Sequence, residues 1–510
     1  MWVPATLVAL VMLLPALYLV LQASDLTAGE IVEIVLEPRT LALAGRTLLL
    51  AGTVTAACLA IAVPVAWVTV RSDLPARRFF AVATALPLVV PSYVGAFALI
   101  AGLAPGGLVE SWTGLRPPAP YGFWGAFVAL TLFSYPYVLL TVQGSLRGID
   151  PSLEEASRSL GHGPVATFLR VTVPQLRPSL AAGGLLVALY VLSDFGAVSM
   201  LRYSTFTRAI YLEYRAAFDR APAAVLGLML VALTVAVLVL EARAARDRGG
   251  QFRMRATTRT SPAVPLGRWR WPAAGLCTLL LVVALALPLL VMGYWLLRGV
   301  GAGEPLVFAV GAAGRSLQAS ALGALAAVFV ALPVAIWVAR SRSVMARLVD
   351  RASFTGYALP GIVVALALVY LGIRAVPWAY QTLAMLVFAY VVLFVPQAIG
   401  SIRSSLLQVS PTVDDAARTL GSTPLQVLRR IVVPLGRRGA IAGGGLVFLT
   451  AMKELPATLL LAPTGFDTLA VRVWSATNEA FFARAAAPAL LLIALGSLPL
   501  AIAMVRERRE

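Results

Sequence analysis

The chain has 510 residues, of which 60% are hydrophobic and only 13% are charged, and its mean hydropathy is +0.87. Soluble globular proteins are less apolar than this, so the composition predicts a membrane protein. The net charge of +18 comes from arginines that fall in particular loops, which is typical of membrane topology rather than of nucleic-acid binding.

Twelve apolar segments follow one another along the chain, each near the roughly 20 residues that a helix needs to cross a bilayer. They lie at 3–23, 46–70, 79–103, 122–142, 180–201, 223–241, 272–297, 316–339, 352–373, 381–400, 439–462 and 485–505. We therefore predict an all-α, polytopic membrane protein with about 12 transmembrane helices. The first segment has no basic flank, so we interpret it as an uncleaved span rather than a signal peptide.

Most of the arginine-rich loops lie on one side of the membrane if the spans alternate. These loops contain Arg71, Arg77, Arg78, Arg147, Arg158, Arg170, Arg177, Arg243, Arg246, Arg248, Arg253, Arg255, Arg259, Arg340, Arg342, Arg347, Arg506, Arg508 and Arg509. The positive-inside rule assigns this side, and both termini, to the cytoplasm. The arginines between 202 and 220 are the exception, and we consider them as a contact surface for a soluble partner protein.

The segments 150–178 and 410–438, called here the first and second repeat loops, carry the same pattern twice. The matched pairs are Glu155 and Asp415, Ala156 and Ala416, Leu160 and Leu420, Gly161 and Gly421, Pro164 and Pro424, and Pro174 and Pro434, all 260 residues apart (415 − 155). Further matches extend on both sides of each loop. The sequence therefore predicts two parallel halves of six spans, 1–241 and 272–510, joined by a polar linker at 242–271.

Each repeat loop reads as two short helices with a bend between them. Asp150 is a helix cap followed by Pro151 at the first helical position, and acidic residues follow in the first turn. Gly161 is placed to end that helix in the left-handed conformation, and Pro164 begins the next one.

The pattern of an acid, Ala, a glycine six residues after the acid, and then an apolar run into proline resembles the EAA loop of binding-protein-dependent ABC importers of type I. In that family the loop docks on the ATP-hydrolysing subunit. The resemblance implies two copies of an ABC ATPase subunit, which bind the ATP, a soluble substrate-binding protein, and a permease in the lipid bilayer. The residues that it places against the ATPase are Glu155, Ala156, Gly161, Asp415, Ala416 and Gly421. The sequence departs from the pattern at Asp415 and at Ser157, where alanine is usual.

The residues needed for ATP hydrolysis or metal chemistry are missing from the sequence. A phosphate-binding loop requires a lysine after a glycine-rich turn, but the only lysine, Lys453, lies in the sequence KELP. The only histidine, His162, lies in a loop bend, which excludes a histidine metal site. Cys58 and Cys277 fall within spans and are expected to be buried thiols. We expect no catalytic site, metal or cofactor in this chain.

Charged residues inside spans are costly and usually face a partner or a pathway. Asp194 lies in the span that follows the first repeat loop, and Lys453 and Glu454 lie in the span that follows the second. One interpretation is that these three residues line the translocation path or its outer gate. The alternative is a structural ion pair, for example between Lys453 and Asp194.

The segments SDFGAVS at 193–199 and KELPATLLL at 453–461 resemble the fused iron(III) importer permeases of bacterial or archaeal cytoplasmic membranes. That resemblance implies iron(III) as the cargo. Thiamine and aminoalkylphosphonate permeases share the fused plan and remain alternatives. A secondary transporter also has two parallel six-span halves, but its signature loops would follow the second span of each half. A channel would need a selectivity sequence, and none is present.

Overall fold

The computed structural model describes residues 2–216, 221–247, 263–341, 343–354, 356, 359–408, 413, 417 and 419–507. These residues form helices and connecting loops, with no β-strand among them and one isolated bridge, between Ser72 and Val264. Up to residue 247 the helices are α1 (Trp2–Ala23), α2 (Ala28–Leu36), α3 (Pro38–Arg71), α4 (Arg77–Ala83), α5 (Ser92–Leu103), α6 (Leu108–Thr113), α7 (Phe123–Gly148), α8 (Pro151–Ser159), α9 (Pro164–Thr167), α10 (Val173–Ser193), α11 (Gly196–Met200), α12 (Phe206–Ala216) and α13 (Ala221–Asp247).

After the linker the helices are α14 (Arg270–Leu281), α15 (Leu287–Gly301), α16 (Val307–Arg340), α17 (Val344–Ser353), α18 (Gly361–Arg374), α19 (Leu383–Leu407), α20 (Pro424–Val427), α21 (Val433–Met452), α22 (Pro456–Leu461), α23 (Leu469–Asn478) and α24 (Phe482–Glu507). Short 3₁₀ helices lie at Leu86–Val89, Gly267–Trp269 and Pro377–Ala379. Five-residue π-helical turns lie at Phe168–Thr172, Val282–Ala286 and Leu428–Val432.

Ten helical stretches in the described part of the chain are long and apolar enough to cross a membrane. The two remaining predicted segments, 352–373 and 485–505, coincide with the shorter apolar helices Gly361–Arg374 and Phe482–Ser497. Each of the predicted segments therefore contains an apolar helix. The prediction of an all-α, polytopic membrane fold is confirmed.

Prolines interrupt two of the predicted spans. The segment 79–103 is not one helix, because Pro91 has an extended backbone (φ −61°, ψ 147°) and α5 starts after it. The segment 352–373 is interrupted in the same way by Pro360 (φ −57°, ψ 143°), and α18 starts after it. Proline has no backbone N–H to continue a helix. Both of these prolines have an extended backbone directly before a helix start, whereas α3, α7, α16 and α19 each contain a proline within the helix. Because Pro91 and Pro360 are 269 residues apart (360 − 91), both halves carry the same break.

Two other predicted spans end earlier than expected. In the segment 180–201, α10 ends at Ser193 and the short helix α11 starts at Gly196. In the segment 439–462, α21 ends at Met452 and α22 starts at Pro456. The charged residues that looked costly inside a span lie in these gaps, where the ends of helices leave backbone groups for them to contact.

The π-helical turns share one local feature. Each turn ends two residues before a proline, which is Pro174, Pro288 or Pro434. A proline cannot donate to the carbonyl four residues back, and its ring crowds that carbonyl. The backbone therefore widens just before it, so that the N–H of Val173 bonds to Phe168 and the N–H of Val433 bonds to Leu428.

The chain divides into two compact units. Unit one consists of Met1–Leu41, Phe206–Val231 and Gly299–Glu510. Its centre is the packing of α16, α19 and α21, and α1 lies along α16, α17 and α18. Glycine allows a close approach of α21 to α19, since a Cβ on Gly443 would lie 3.0 Å from the Cα of Ala398.

Unit two consists of Ala42–Thr205 and Ala232–Arg298. Here α7 packs against α5 and α10, and Gly183 plays the part that Gly443 plays in unit one, with its Cβ position 3.0 Å from the Cα of Val138. The indole Nε1 of Trp295, in α15, donates to the carbonyl of Ala101 at 3.0 Å. Trp112 and Tyr294 stack edge to face with ring centroids 5.7 Å apart.

Unit one consists mostly of the second sequence half but contains the first long helix of the first half. Unit two consists mostly of the first half but contains the first long helix of the second half. Helix α1 belongs to the first half but packs in unit one, and α14 with most of α15 belongs to the second half but packs in unit two. The boundaries 1–241, 242–271 and 272–510 describe the repeat in the sequence and stay a prediction.

The end of the linker is attached within unit two. Val264 donates its N–H to the carbonyl of Arg71 at 2.8 Å and accepts from Asp73 at 3.2 Å. The N–H of Leu266 donates to the Asp73 carboxylate at 2.8 Å. Residues 248–262 of the predicted linker lie outside the described residues.

Candidate functional site

The first repeat loop begins with a capped helix, as the sequence predicts. Asp150 accepts a hydrogen bond from the backbone N–H of Ser152 at 3.0 Å, and Pro151 occupies the first position of α8. Both residues stabilise the helix start, because one satisfies an unpaired N–H there and the other has none to satisfy.

A left-handed glycine ends α8. Gly161 has φ +85°, and its N–H donates to the carbonyl of Arg158 at 2.9 Å. The N–H of His162 donates to the carbonyl of Ser157 at 3.2 Å. These two bonds form a Schellman motif, which satisfies the last carbonyls of the helix and sends the chain sharply away from it.

The second repeat loop makes the same turn. Gly421 has φ +84°, and the N–H of Ser422 donates to the carbonyl of Ala417 at 3.0 Å. Two of the predicted site residues in this loop, Asp415 and Ala416, lie outside the described residues.

Glu154 ties the first repeat loop to the rest of unit two. The Glu154 side chain is buried, and its Oε1 accepts a hydrogen bond from Thr172 Oγ1 at 3.0 Å. Arg71 Nη2 lies 3.8 Å from the same oxygen and donates to the carbonyl of Ile149 at 3.3 Å. Buried charges need both an opposite charge and hydrogen-bond partners. The contacts among Arg71, Glu154 and Thr172, called here the Glu154 brace, therefore fix the loop against the end of α3.

Ser157 joins the two short helices of the first repeat loop. Its Oγ lies 3.1 Å from Thr167 Oγ1 and 3.3 Å from His162 Nδ1. The other ring nitrogen of His162 lies 3.1 Å from Arg170 Nη1. An alanine at position 157 would lose the hydroxyl that makes the first two contacts, which gives a structural role to the residue where the sequence departs from the EAA pattern.

The outer surface of the first repeat loop is partly apolar. Leu160 is 79% exposed, and its repeat equivalent Leu420 is 86% exposed. The predicted site residues Glu155, Ala156 and Gly161 are exposed as well. The two leucines thus place an exposed apolar side chain at the same point of each repeat loop, outside the candidate spans.

Asp194 lies far from the first repeat loop. The loop ends inside α10, at Pro178, and the 16 residues from there to Asp194 (194 − 178) span about 24 Å at roughly 1.5 Å per residue. The Asp194 side chain is buried; its Oδ1 accepts from the N–H groups of Ala197 and Val198 at 3.1 and 3.3 Å, and its Oδ2 accepts from the Ser92 hydroxyl. The predicted site residues of this half thus form two separate groups, one at each end of α10.

Glu454 occupies the equivalent gap in unit one. Its Oε1 accepts from the N–H of Ala457 at 3.1 Å, and a Cβ built on Gly361 would lie 2.8 Å from that oxygen. Lys453 ends α21, with its own N–H bonded to the carbonyl of Thr450 at 3.2 Å. The predicted roles of Asp194, Lys453 and Glu454 as path, gate or ion pair stay predictions.

Sequence reasoning missed two kinds of contact. The Glu154 brace was not predicted, although Arg71 and Ser72 recur as Arg340 and Ser341 in the repeat, which was a signal that this arginine has a structural task. The contact of Ser92 with Asp194 was missed because the two residues are 102 positions apart and no local pattern joins them.

A polytopic, all-α chain with a tandem repeat, and with the same exposed turn in each repeat, fits the class of membrane transport permeases. The chain matches the family described as "Binding-protein-dependent transport system inner membrane component" at residues 58–248 and 331–509. These two matches cover most of the chain, one in each half, and the chain belongs to this family.

Individual relatives fall into two groups by coverage. The chain is 34% identical over 498 residues to "Fe(3+)-transport system permease protein FbpB 2" of Haemophilus influenzae, and the match covers 97% of this chain and 95% of that protein. It is 30% identical over 192 residues to the sulfate transport system permease protein CysT of Escherichia coli, covering 38% of this chain and 69% of that protein. It is 29% identical over 199 residues to the molybdenum transport system permease protein ModB of the same species, covering 36% of this chain and 86% of that protein. The predicted resemblance to fused iron(III) permeases is confirmed.

Proposed function

We propose that this chain is the permease of an ATP-driven importer whose cargo is iron(III), delivered by a soluble binding protein. The observation that carries the proposal is the match along almost the whole of both chains to the Fe(3+)-transport permease of Haemophilus influenzae. The sulfate and molybdenum relatives match only a stretch of about a third of the chain, so they support the shared import machinery more than they support an oxyanion cargo.

Two copies of an ATPase subunit dock on this permease, one on each repeat loop. In the first loop the contact is made by Glu155, Ala156 and Gly161, together with the exposed Leu160. In the second loop Asp415, Ala416 and Gly421 take the same role. The exposure of this surface and the Glu154 brace beneath it support the assignment, because a loop that transmits force needs a contact face and a firm attachment.

ATP is bound and hydrolysed on the partner subunits, and this chain holds no cofactor of its own. The membrane is the cytoplasmic membrane of a bacterium or archaeon, and both termini lie on the cytoplasmic side with the repeat loops. This orientation is supported by the arginines that flank the loops on the same side.

The proposal is tested in proteoliposomes that contain the permease, its ATPase and the iron-loaded binding protein. We expect uptake of radiolabelled iron(III) that requires ATP, and that an excess of sulfate, molybdate or thiamine does not reduce. Uptake driven by a proton gradient without the ATPase would contradict the importer assignment. ATP-dependent uptake of sulfate, molybdate or thiamine in place of iron would contradict the cargo.

A further inference from the structure

Each unit contains a contact between a carboxylate and the start of a proline-preceded helix, and this carboxylate is buried in unit two and half-buried in unit one. In unit two the carboxylate of Asp194 contacts Ser92, the first residue of α5 after Pro91. In unit one the carboxylate of Glu454 lies against Gly361, the first residue of α18 after Pro360. Each carboxylate also accepts a hydrogen bond from the first turn of the short helix that follows it.

The two contacts are related by the sequence repeat. Asp194 and Glu454 are 260 residues apart (454 − 194), and Ser92 and Gly361 are 269 residues apart (361 − 92). These are the two offsets that relate the halves in their respective regions. The pair of one unit is therefore the repeat equivalent of the pair of the other, although neither residue type is the same.

The differences between the two pairs compensate each other. Aspartate is one methylene shorter than glutamate, and in unit two the serine hydroxyl reaches toward it. In unit one the acid is longer and the partner has no side chain. A Cβ added to Gly361 would lie only 2.8 Å from the carboxylate oxygen, so a side chain there would crowd it. The gap between the two backbones is therefore filled in both units. In unit two the partner serine supplies the additional atoms, and in unit one the longer acid supplies them.

We propose that Asp194 with Ser92, and Glu454 with Gly361, are two versions of one helix-locking contact in which the carboxylate is a positioning group and not a ligand for the cargo. The carboxylate oxygens are engaged by helix N–H groups, which favour a negative charge at a helix start. The contact joins the short helix after each break, α11 or α22, to the helix after each proline, α5 or α18. It therefore sets the positions of the short helices α11 and α22, which follow the long helices α10 and α21.

The contact is tested by exchanging the two versions in the full-length protein. At the first site the variants are Asp194→Glu, Ser92→Gly and both together; at the second they are Glu454→Asp, Gly361→Ser and both together. We expect every single variant to lower the melting temperature in detergent by about 2 to 4 °C, because the space is overfilled or a partner is lost. We expect each double variant to recover most of that loss.

Thermal melting of this kind does not depend on the cargo, so its outcome is separate from that of the proposed function. Double variants whose loss equals the sum of the two single losses would overturn the proposal, as would single variants that melt like the unaltered protein. The two sites are independent tests, so a failure of one pair to assemble leaves the other to decide. Glu479→Asp, at an exposed acid, is the matched control and should leave melting unchanged.

A second readout separates positioning from cargo binding, and it rests on the proposed iron transport. We expect the single variants to lower the maximal rate of uptake with little change in the KM for the loaded binding protein or its iron. We expect the double variants to restore that rate. If the carboxylate bound the cargo, its substitution would instead raise the KM, and the additional change Ser92→Gly would not restore the KM. That result would overturn the proposal.

Discussion

Two adjacent acids, Glu154 and Glu155, have different surroundings in the first repeat loop. The Glu154 side chain is buried in its brace, whereas Glu155 is exposed on the surface that we assign to ATPase docking. A sequence motif that contains both residues does not separate these tasks, because the distinction depends on which face of α8 is turned toward Arg71 and Thr172.

Glu154→Gln is expected to destabilise the protein by about 1 to 3 kcal/mol, since it leaves the buried Arg71 without its carboxylate. The matched variant Glu155→Gln should change stability by less than about 0.5 kcal/mol, as is usual for an exposed position. Its effect should appear instead as weaker stimulation of the ATPase by the loaded binding protein. Melting curves and ATPase assays on both variants check this, and equal melting of the two would contradict the brace.

Gly161→Ala is expected to cost about 1 kcal/mol, because the left-handed backbone at φ +85° is unfavourable for a residue with a Cβ. The cost should come from the backbone alone, since no atom lies within 4 Å of the added Cβ. Gly163→Ala, two residues on, is the control, because that position also has open space and its φ is not positive. Measured melting temperatures that fall equally for both would show that the turn is not the reason for Gly161.

At the scale of elements, the π-helical turns determine how each repeat loop is oriented on its long helix. A π-helical turn adds one residue to the helix. The segment that precedes the turn is therefore rotated about the helix axis by about 100° relative to a regular α-helix. Because the turn occurs before both Pro174 and Pro434, the two loops receive the same rotation.

Pro174→Ala is expected to restore a regular helix and so to misdirect the first repeat loop without a loss of stability. ATPase stimulation by the loaded binding protein should fall, while the melting temperature should stay the same or rise. Pro178→Ala is the matched control, because Pro178 already lies within α-helical backbone. Full ATPase stimulation in the Pro174→Ala variant would argue against a role for the π-helical turn in coupling.

Much of the fold could be predicted from the sequence, because apolar length and repeat spacing are local signals. The caps at Asp150 and Pro151 and the turn at Gly161 were predictable for the same reason. The breaks at Pro91 and Pro360 were missed, because each proline lies within a continuous apolar run that the sequence analysis interpreted as one span. The contact between Ser92 and Asp194 could not be predicted, because it depends on how α5 packs against the end of α10.

For the whole molecule, the important feature is that the compact units and the sequence halves differ. Helix α1 packs against α16, α17 and α18 in unit one, and α15 contacts α5 and α6 in unit two through Trp295 and Tyr294. Each half of the sequence, taken alone, therefore lacks a helix that covers part of its surface in the full-length protein. This arrangement makes the two halves depend on each other even though the repeat suggests that each is a domain.

The fragment 272–510 is expected to be unstable when produced alone, because the surfaces of α16, α17 and α18 that α1 covers would be left open. Adding residues 1–41 through a flexible tether should raise its yield and its melting temperature. An equal tether carrying a scrambled version of the first 41 residues is the control. A fragment that is equally stable with and without the added helix would contradict the packing in unit one.

The two repeat loops, as we propose, connect this permease to its ATPase. The most direct measurement is co-purification of the tagged chain with its ATPase, for the unaltered protein and for the double variant Gly161→Arg and Gly421→Arg. We predict that the ATPase is retained by the unaltered chain and lost from the double variant, while both permeases melt within a few degrees of each other. An ATPase retained by the double variant, or one that never associates while the reconstituted protein transports on a proton gradient, would contradict the account.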